Sequence, residues 1–155
     1  MRLRDERGRV GLSVVGYQCG DAGYWWDANW LLIRGDVDMD GDAWSFEDPC
    51  LLTTESLRLG RWLAHAADPE AEVEWLTFTE PNLWFDRRHC SASSVVLRVG
   101  FELEARPPDR PSSTADDDEV WMDLHLSGDQ LRQASAAWLD ELRRYPVRSV
   151  AERPG

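Results

Sequence analysis

LTFTEPNLWF, residues 76–85, holds two apolar pairs of opposite parity. Leu76 and Phe78 share one face of an extended chain, and Leu83 and Phe85 share the other, because strand side chains alternate. Both pairs reach one core only if the backbone slips by a residue between them. Thr79-Glu80-Pro81-Asn82 is the place for that slip. Pro81 has no N–H and holds Glu80 extended, while Asn82 tolerates left-handed backbone. The stretch predicts a bulge or tight corner between two strand halves, central to the core.

On its C-terminal side, Ser94 to Arg106 is the clearest strand pattern in the chain. Val95, Leu97, Val99, Phe101 and Leu103 share one parity, against Arg98, Glu102, Glu104 and Arg106 on the other. One polar face means one solvated face, so the sheet is expected to be antiparallel. Residues 107–119 (PPDRPSSTADDDE) have the composition of a mobile acidic loop. Val120, Met122, Leu124 and Leu126 alternate as a further strand. Ser127 and Gln130 then form a capping box with a Leu126–Leu131 staple. Leu131, Ala134, Ser135, Trp138 and Leu142 make the buried stripe of the last helix, which Pro146 ends.

On its N-terminal side, Leu59, Trp62, Leu63, Ala66 and Ala67 recur at helical spacing, with Thr53 or Thr54 as cap. Asp48-Pro49 is expected to break the sheet before that helix. Val10, Leu12 and Val14 mark a first strand, Asp27–Val37 a second, and Ala43–Glu47 a third. The expected order is β-β-β-α-β-β-β-β-α. That is an α+β domain, an antiparallel sheet with two helices on one face. With 155 residues the chain is expected to form a single domain. Residues 1–8 are expected to be a poorly ordered tail or a short edge strand, and 147–155 a poorly ordered tail of little consequence.

Charge limits the partners. All 17 basic residues are arginine, against 29 acidic ones, a net charge of -12. Such a surface repels nucleic acid and anionic membranes and attracts basic partners. Nothing near the N-terminus resembles a signal peptide, and no apolar window is long enough to span a bilayer. Cys19, Cys50 and Cys90 have neither paired nor C-x-x-C spacing, which fits reduced thiols and a cytoplasmic location.

Candidate chemistry is sparse. Asp36, Asp38, Asp40, Gly41 and Glu47 satisfy the twelve-residue calcium-loop pattern. Their flanks, however, read as strands, and Asp40-Gly41 between apolar runs is a hairpin signal. A solvated acidic tip is the preferred reading and calcium the lesser alternative. His65, His89 and His125 carry no nucleophile elbow or metal-protease spacing, and no catalytic residue, metal ligand or cofactor is assigned. Glu80 and Asn82, with the nearby tryptophans, could face a concave, aromatic-lined cleft for a small ligand or an enzymatic reaction, the second alternative. Tyr24-Trp25-Trp26 must turn at least one ring outward, so Trp25 and Trp26 are candidate binding anchors. Two acidic clusters, Asp36, Asp38, Asp40 and Asp42, and Asp116, Asp117, Asp118 and Glu119, complete the candidate partner-binding set.

Six stretches, in order along the chain, resemble the WapI-type immunity proteins, bacterial antidotes to polymorphic toxins. They are VGYQ (15–18), DANW (27–30), WSF (44–46), LTFTEPNL (76–83), FELEARPP (101–108) and LSGDQLRQA (126–134). The resemblance implies a cytoplasmic protein that binds and neutralises a cognate toxin domain, in such systems often a nuclease. It implies no catalytic residues.

Overall fold

The computed structural model describes residues 1–20, 23–110 and 119–149. It is an α+β fold with two antiparallel sheets. The first has the order β1 (Arg2–Arg4), β2 (Gly8–Tyr17), β3 (Trp30–Met39), β4 (Asp42–Leu52). The second is β5 (Leu83–Cys90), β6 (Val95–Phe101), β7 (Val120–Leu126). Helix α1 (Trp25–Asn29) joins β2 to β3, α2 (Thr53–Ala66) leaves β4, and α3 (Gly128–Leu142) follows β7. Where one sheet was expected there are two, because α2 carries the chain away from β4 before the second group of strands begins.

The predicted corner is present, in altered form. Leu76 and Phe85 exchange both backbone hydrogen bonds, at 2.8 and 3.0 Å, as an isolated bridge. The chain before the corner is thus one bridge rather than a strand, and residues 79–82 form bends and turns. Leu76, Leu83 and Phe85 are buried together, while Phe78 is half-buried and packs edge-on against Phe85. Glu55, on the first turn of α2, locks the corner. Its carboxylate accepts from Thr79 N (2.7 Å), Thr79 Oγ1 (2.8 Å) and Leu52 N (3.0 Å). One buried side chain therefore caps a helix and pins the slip in register.

Arg2–Arg4 is a short edge strand, the second of the two readings of the N-terminus, pairing Arg2 with Gly11 and Arg4 with Arg9. Three other expectations are corrected. Asp48-Pro49 does not break the sheet. The register jumps from Leu31↔Leu51 to Ile33↔Asp48 there, so Pro49 sits in a bulge of an edge strand, where its missing N–H costs little. Asp27–Asn29 is helical, not strand. The strand predicted to run through Arg106 stops at Phe101, and Leu103, with φ 49°, opens a 3-10 turn over Leu103–Ala105.

A single core joins the inner faces of both sheets to the buried stripes of α2 and α3. Trp44 of β4 spans the sheets. Its ring meets Phe101 at 5.4 Å, near-perpendicular, and its Nε1 donates to Ala105 O at 2.9 Å. The helices approach closely at Gly60, where a Cβ would lie 2.6 Å from Leu139. Ser135 Oγ donates to Gly60 O (2.6 Å) and Trp138 Nε1 to Ser56 O (2.8 Å) across that contact. Arg87 closes the other end of α2 by donating to the carbonyls of Ala66 and Asp68.

Candidate partner-binding surfaces

The β3–β4 hairpin carries the first acidic cluster. Asp40 (φ 53°) and Gly41 (φ 93°) form a two-residue turn closed by the Met39↔Asp42 pair. Two successive positive φ values give the type I′ twist that matches right-handed strands, which the Asp-Gly pair had predicted. Ile33, Gly35 and Val37 face inward, so Arg34 and Asp36 face solvent. The cluster is not uniformly acidic. Arg34 Nη2 lies 3.3 Å from Asp36 Oδ1, and Arg9 of β2 stands directly opposite Asp38. Asp40 and Asp42, both exposed, carry the hairpin's charge at its tip.

The same ladder rules out a calcium loop. Asp36 opposes Ser45 and Glu47 opposes Arg34, so the carboxylates are strung along two extended strands. A calcium loop must instead wrap its oxygens around one point. Among the described residues no group of three or more His, Cys, Asp or Glu is arranged to hold a metal ion.

Trp25 and Trp26 lie on α1, their rings 5.3 Å apart and nearly perpendicular. Trp25 is half-buried, while Trp26 is 56% and Tyr24 76% exposed. The ten residues of β3 separate this pair from the hairpin tip. At ~3.3 Å per residue that is about 30 Å, the breadth of a standard interface, so the two features occupy opposite ends of the sheet. Of the second acidic cluster, Asp116, Asp117 and Asp118 lie outside the described residues. Glu119 is exposed immediately before β7.

Glu80 is half-buried at the corner, and Asn82 is a structural tie. The Asn82 side chain is buried and donates to Asp48 Oδ2 (3.2 Å) and Glu104 Oε2 (3.1 Å), while its carbonyl accepts from Glu102 N (2.9 Å). The amide thus ties β4, the corner and the 3-10 turn together. Burial lifts the Asp48 carboxyl above its usual range, with Glu104 and Glu80 adding to the lift and the Asn82 amide opposing it. Beneath it the buried Cys50 thiol is pushed up to about 12, chiefly by desolvation, which leaves it unreactive. His65, His89 and His125 are all exposed.

A concave surface near the corner lies on the outer face of the second sheet. It is an open groove of about 480 Å³ lined by residues that include Trp75, Phe78, Trp84, Arg98 and Glu119. Trp75 and Trp84 meet edge-to-face at 5.6 Å. Arg98 is held by Asp123 through two bonds, 2.7 and 2.9 Å, and its guanidinium lies 3.5 Å over the Trp121 ring. Trp84 and Trp121 flank Gly100 in cross-strand register. Sequence reasoning pointed to the tryptophans near Glu80 only as a group and missed Trp121. The signal was there: Trp84 and Trp121 occupy the parity of their strands that otherwise carries Asp86, Asp123 and His125.

Among the described residues no helix is long and apolar enough to cross a membrane. A family model for the Immunity protein WapI-like family matches residues 1–146. No curated protein and no solved structure matches the chain. The six resembling stretches fall within that span, and the fold accounts for several of them. LTFTEPNL is the Glu55-locked corner, WSF places Trp44 and Phe46 in the core, and LSGDQLRQA is the capped start of α3. The match covers nearly the whole chain, and the chain belongs to the Immunity protein WapI-like family.

Proposed function

We propose that this chain is a cytoplasmic immunity protein that neutralises a cognate toxin domain by stoichiometric contact, without a reaction of its own. The observation that carries this is the family match over residues 1–146. The charge of -12 supports it and points to a toxin with a basic face, as a nuclease domain has. Asp40 and Asp42 at the rigid hairpin tip, with Glu119 and Asp116–Asp118, supply the field that steers such a partner. Asp36 and Asp38 add less, since arginines stand beside them. Trp26, the exposed member of the Trp25–Trp26 pair, offers an aromatic contact at the far end of the sheet.

The test is co-expression with the C-terminal domain of the polymorphic toxin encoded beside this chain's gene. Growth should be restored, and the two proteins should co-purify at one to one. A toxin domain that kills equally with and without this chain refutes the proposal.

A further inference from the structure

Three tryptophans on the outer face of one small sheet have no role in the core. Trp75 is 59% and Trp121 38% exposed, and Trp84 is half-buried between Trp75 and the sheet at Gly100. The fold accommodates this arrangement at Gly100, where a Cβ would lie 1.7 Å from the Trp84 ring. The glycine of β6 is thus the seat on which Trp84 lies flat. The groove floor is rigid as well, because Arg98 is fixed on one side by Asp123 and on the other by the Trp121 ring. Rigid aromatic side chains beside an oriented arginine are the composition of an interface hot spot.

Charge decides what the groove takes. Its two arginines already have carboxylate partners. Arg98 is bound to Asp123, and Arg88 Nη1 lies 2.7 Å from Asp86 Oδ2. Glu119 then adds negative charge at the rim beyond those pairs, while Glu102 is itself paired with Arg106 at 3.3 Å. Trp75 supplies the exposed π-face over which a cation is held, since Arg98 already covers one face of Trp121. A partner guanidinium or ammonium would lie over an indole, with its aliphatic stem in the groove and its charge against Glu119.

We infer that the groove lined by Trp75, Phe78 and Trp84, with Trp121 beside it under Arg98, is the anchoring site for the toxin domain, and that it receives an arginine- or lysine-bearing loop of that domain. The inference rests on the immunity function proposed above and names the surface that performs it. The acidic hairpin tip supplies approach, and this groove supplies residence time.

The test measures binding and growth rescue with the adjacent-gene toxin domain for wild type, Trp75→Ala with Trp121→Ala, Glu119→Gln and Trp26→Ala. The double variant should dissociate faster by on the order of 100-fold and lose rescue while remaining folded, with a small drop in thermal midpoint from the lost Trp121–Arg98 contact. Glu119→Gln should weaken binding by roughly 5-fold to 10-fold, as expected for a rim carboxylate facing a cation. Trp26→Ala should cost less than the groove pair. If the groove variants bind and rescue as well as wild type, or if Trp26→Ala alone abolishes binding, the groove is not the anchor and the immunity function stands. If wild type itself neither binds nor rescues, the immunity function falls and the groove assignment falls with it. Should the double variant unfold, Trp75→Leu with Trp121→Leu, which keeps an apolar side chain but no π-face, carries the same two readings.

Discussion

Asn29 and Arg148, 119 residues apart, grip each other like paired strand residues. The Asn29 Oδ1 accepts from Arg148 N at 2.8 Å, and its Nδ2 donates to Arg148 O at 3.0 Å. The same buried amide also donates to Trp25 O (2.8 Å) and accepts from Thr53 Oγ1 (2.9 Å). Thr53, expected to cap α2, instead spends its hydroxyl on this hub. The Arg148 side chain reaches back over the Tyr17 ring, 3.4 Å from its centre, and donates to Cys19 O. The segment after Pro146 therefore holds the helix bearing Trp25 and Trp26 in place. That corrects the expectation that the tail from Val147 has no consequence.

Asn29→Ala leaves four buried or half-buried partners without their mate and should cost about 2–4 kcal/mol. Ending the chain at Pro146 removes only the Arg148 share and should cost about 1–2 kcal/mol. Urea denaturation of both variants checks this. Equal midpoints for wild type and Asn29→Ala would mean that water replaces the hub without penalty.

Gly100→Ala should destabilise the protein by about 1–3 kcal/mol, because the new Cβ must displace the Trp84 ring. The same change at Gly16 or Gly20, where a Cβ would meet nothing, should be close to neutral. The Trp84 indole N–H resonance reports the displacement directly. A shift at Trp84 without loss of stability would show that the ring has a second comfortable rotamer.

Asp48 sets one pH dependence. Its carboxyl is raised above the ordinary value of 3.8, mainly by burial, so the folded chain holds that proton more tightly than the unfolded one. The stabilising contribution is complete below 3.8 and is lost as pH rises through the raised folded value. Asp48→Asn keeps an acceptor for Asn82 and carries no charge. It should be more stable than wild type at pH 7, with the gap closing as pH falls towards 4. The Arg98 bond holds Asp123 below its usual range, so Asp123→Asn should behave in the opposite way. Its wild-type advantage is present at neutral pH and disappears on acidification. Thermal midpoints across that range decide both signs.

Charge at the hairpin should act on rate rather than lifetime. Asp40→Asn with Asp42→Asn should slow association with the toxin domain several-fold at low ionic strength, and the effect should fade near 0.1 M salt, where screening acts over ~10 Å. Asp36→Asn with Asp38→Asn should do less, because Arg34 and Arg9 already neutralise that part of the hairpin. Stopped-flow association at two salt concentrations compares them. A larger effect from the Asp36 and Asp38 pair would place the contact on the sheet face rather than at its tip.

The sequence by itself determined what is local. Alternation over Val95–Phe101 and Val120–Leu126, the Ser127–Gln130 cap, the Asp40-Gly41 turn and the slip inside LTFTEPNL all follow from side-chain parity and backbone freedom within a few residues. The α+β class followed from those elements alone. Tertiary structure decided where distant side chains meet. Glu55 reads as an ordinary helical glutamate until Thr79 arrives against it, and Asn29 as a strand residue until Arg148 closes on it. The acidic hairpin proved to be interleaved with arginines only when β2 was laid beside β3. Trp75, Trp84 and Trp121 became one surface only when β5, β6 and β7 came into register across Gly100. Pairing between strands depends on contacts many residues apart, and parity constrains only which face each side chain takes, not which neighbours it finds there.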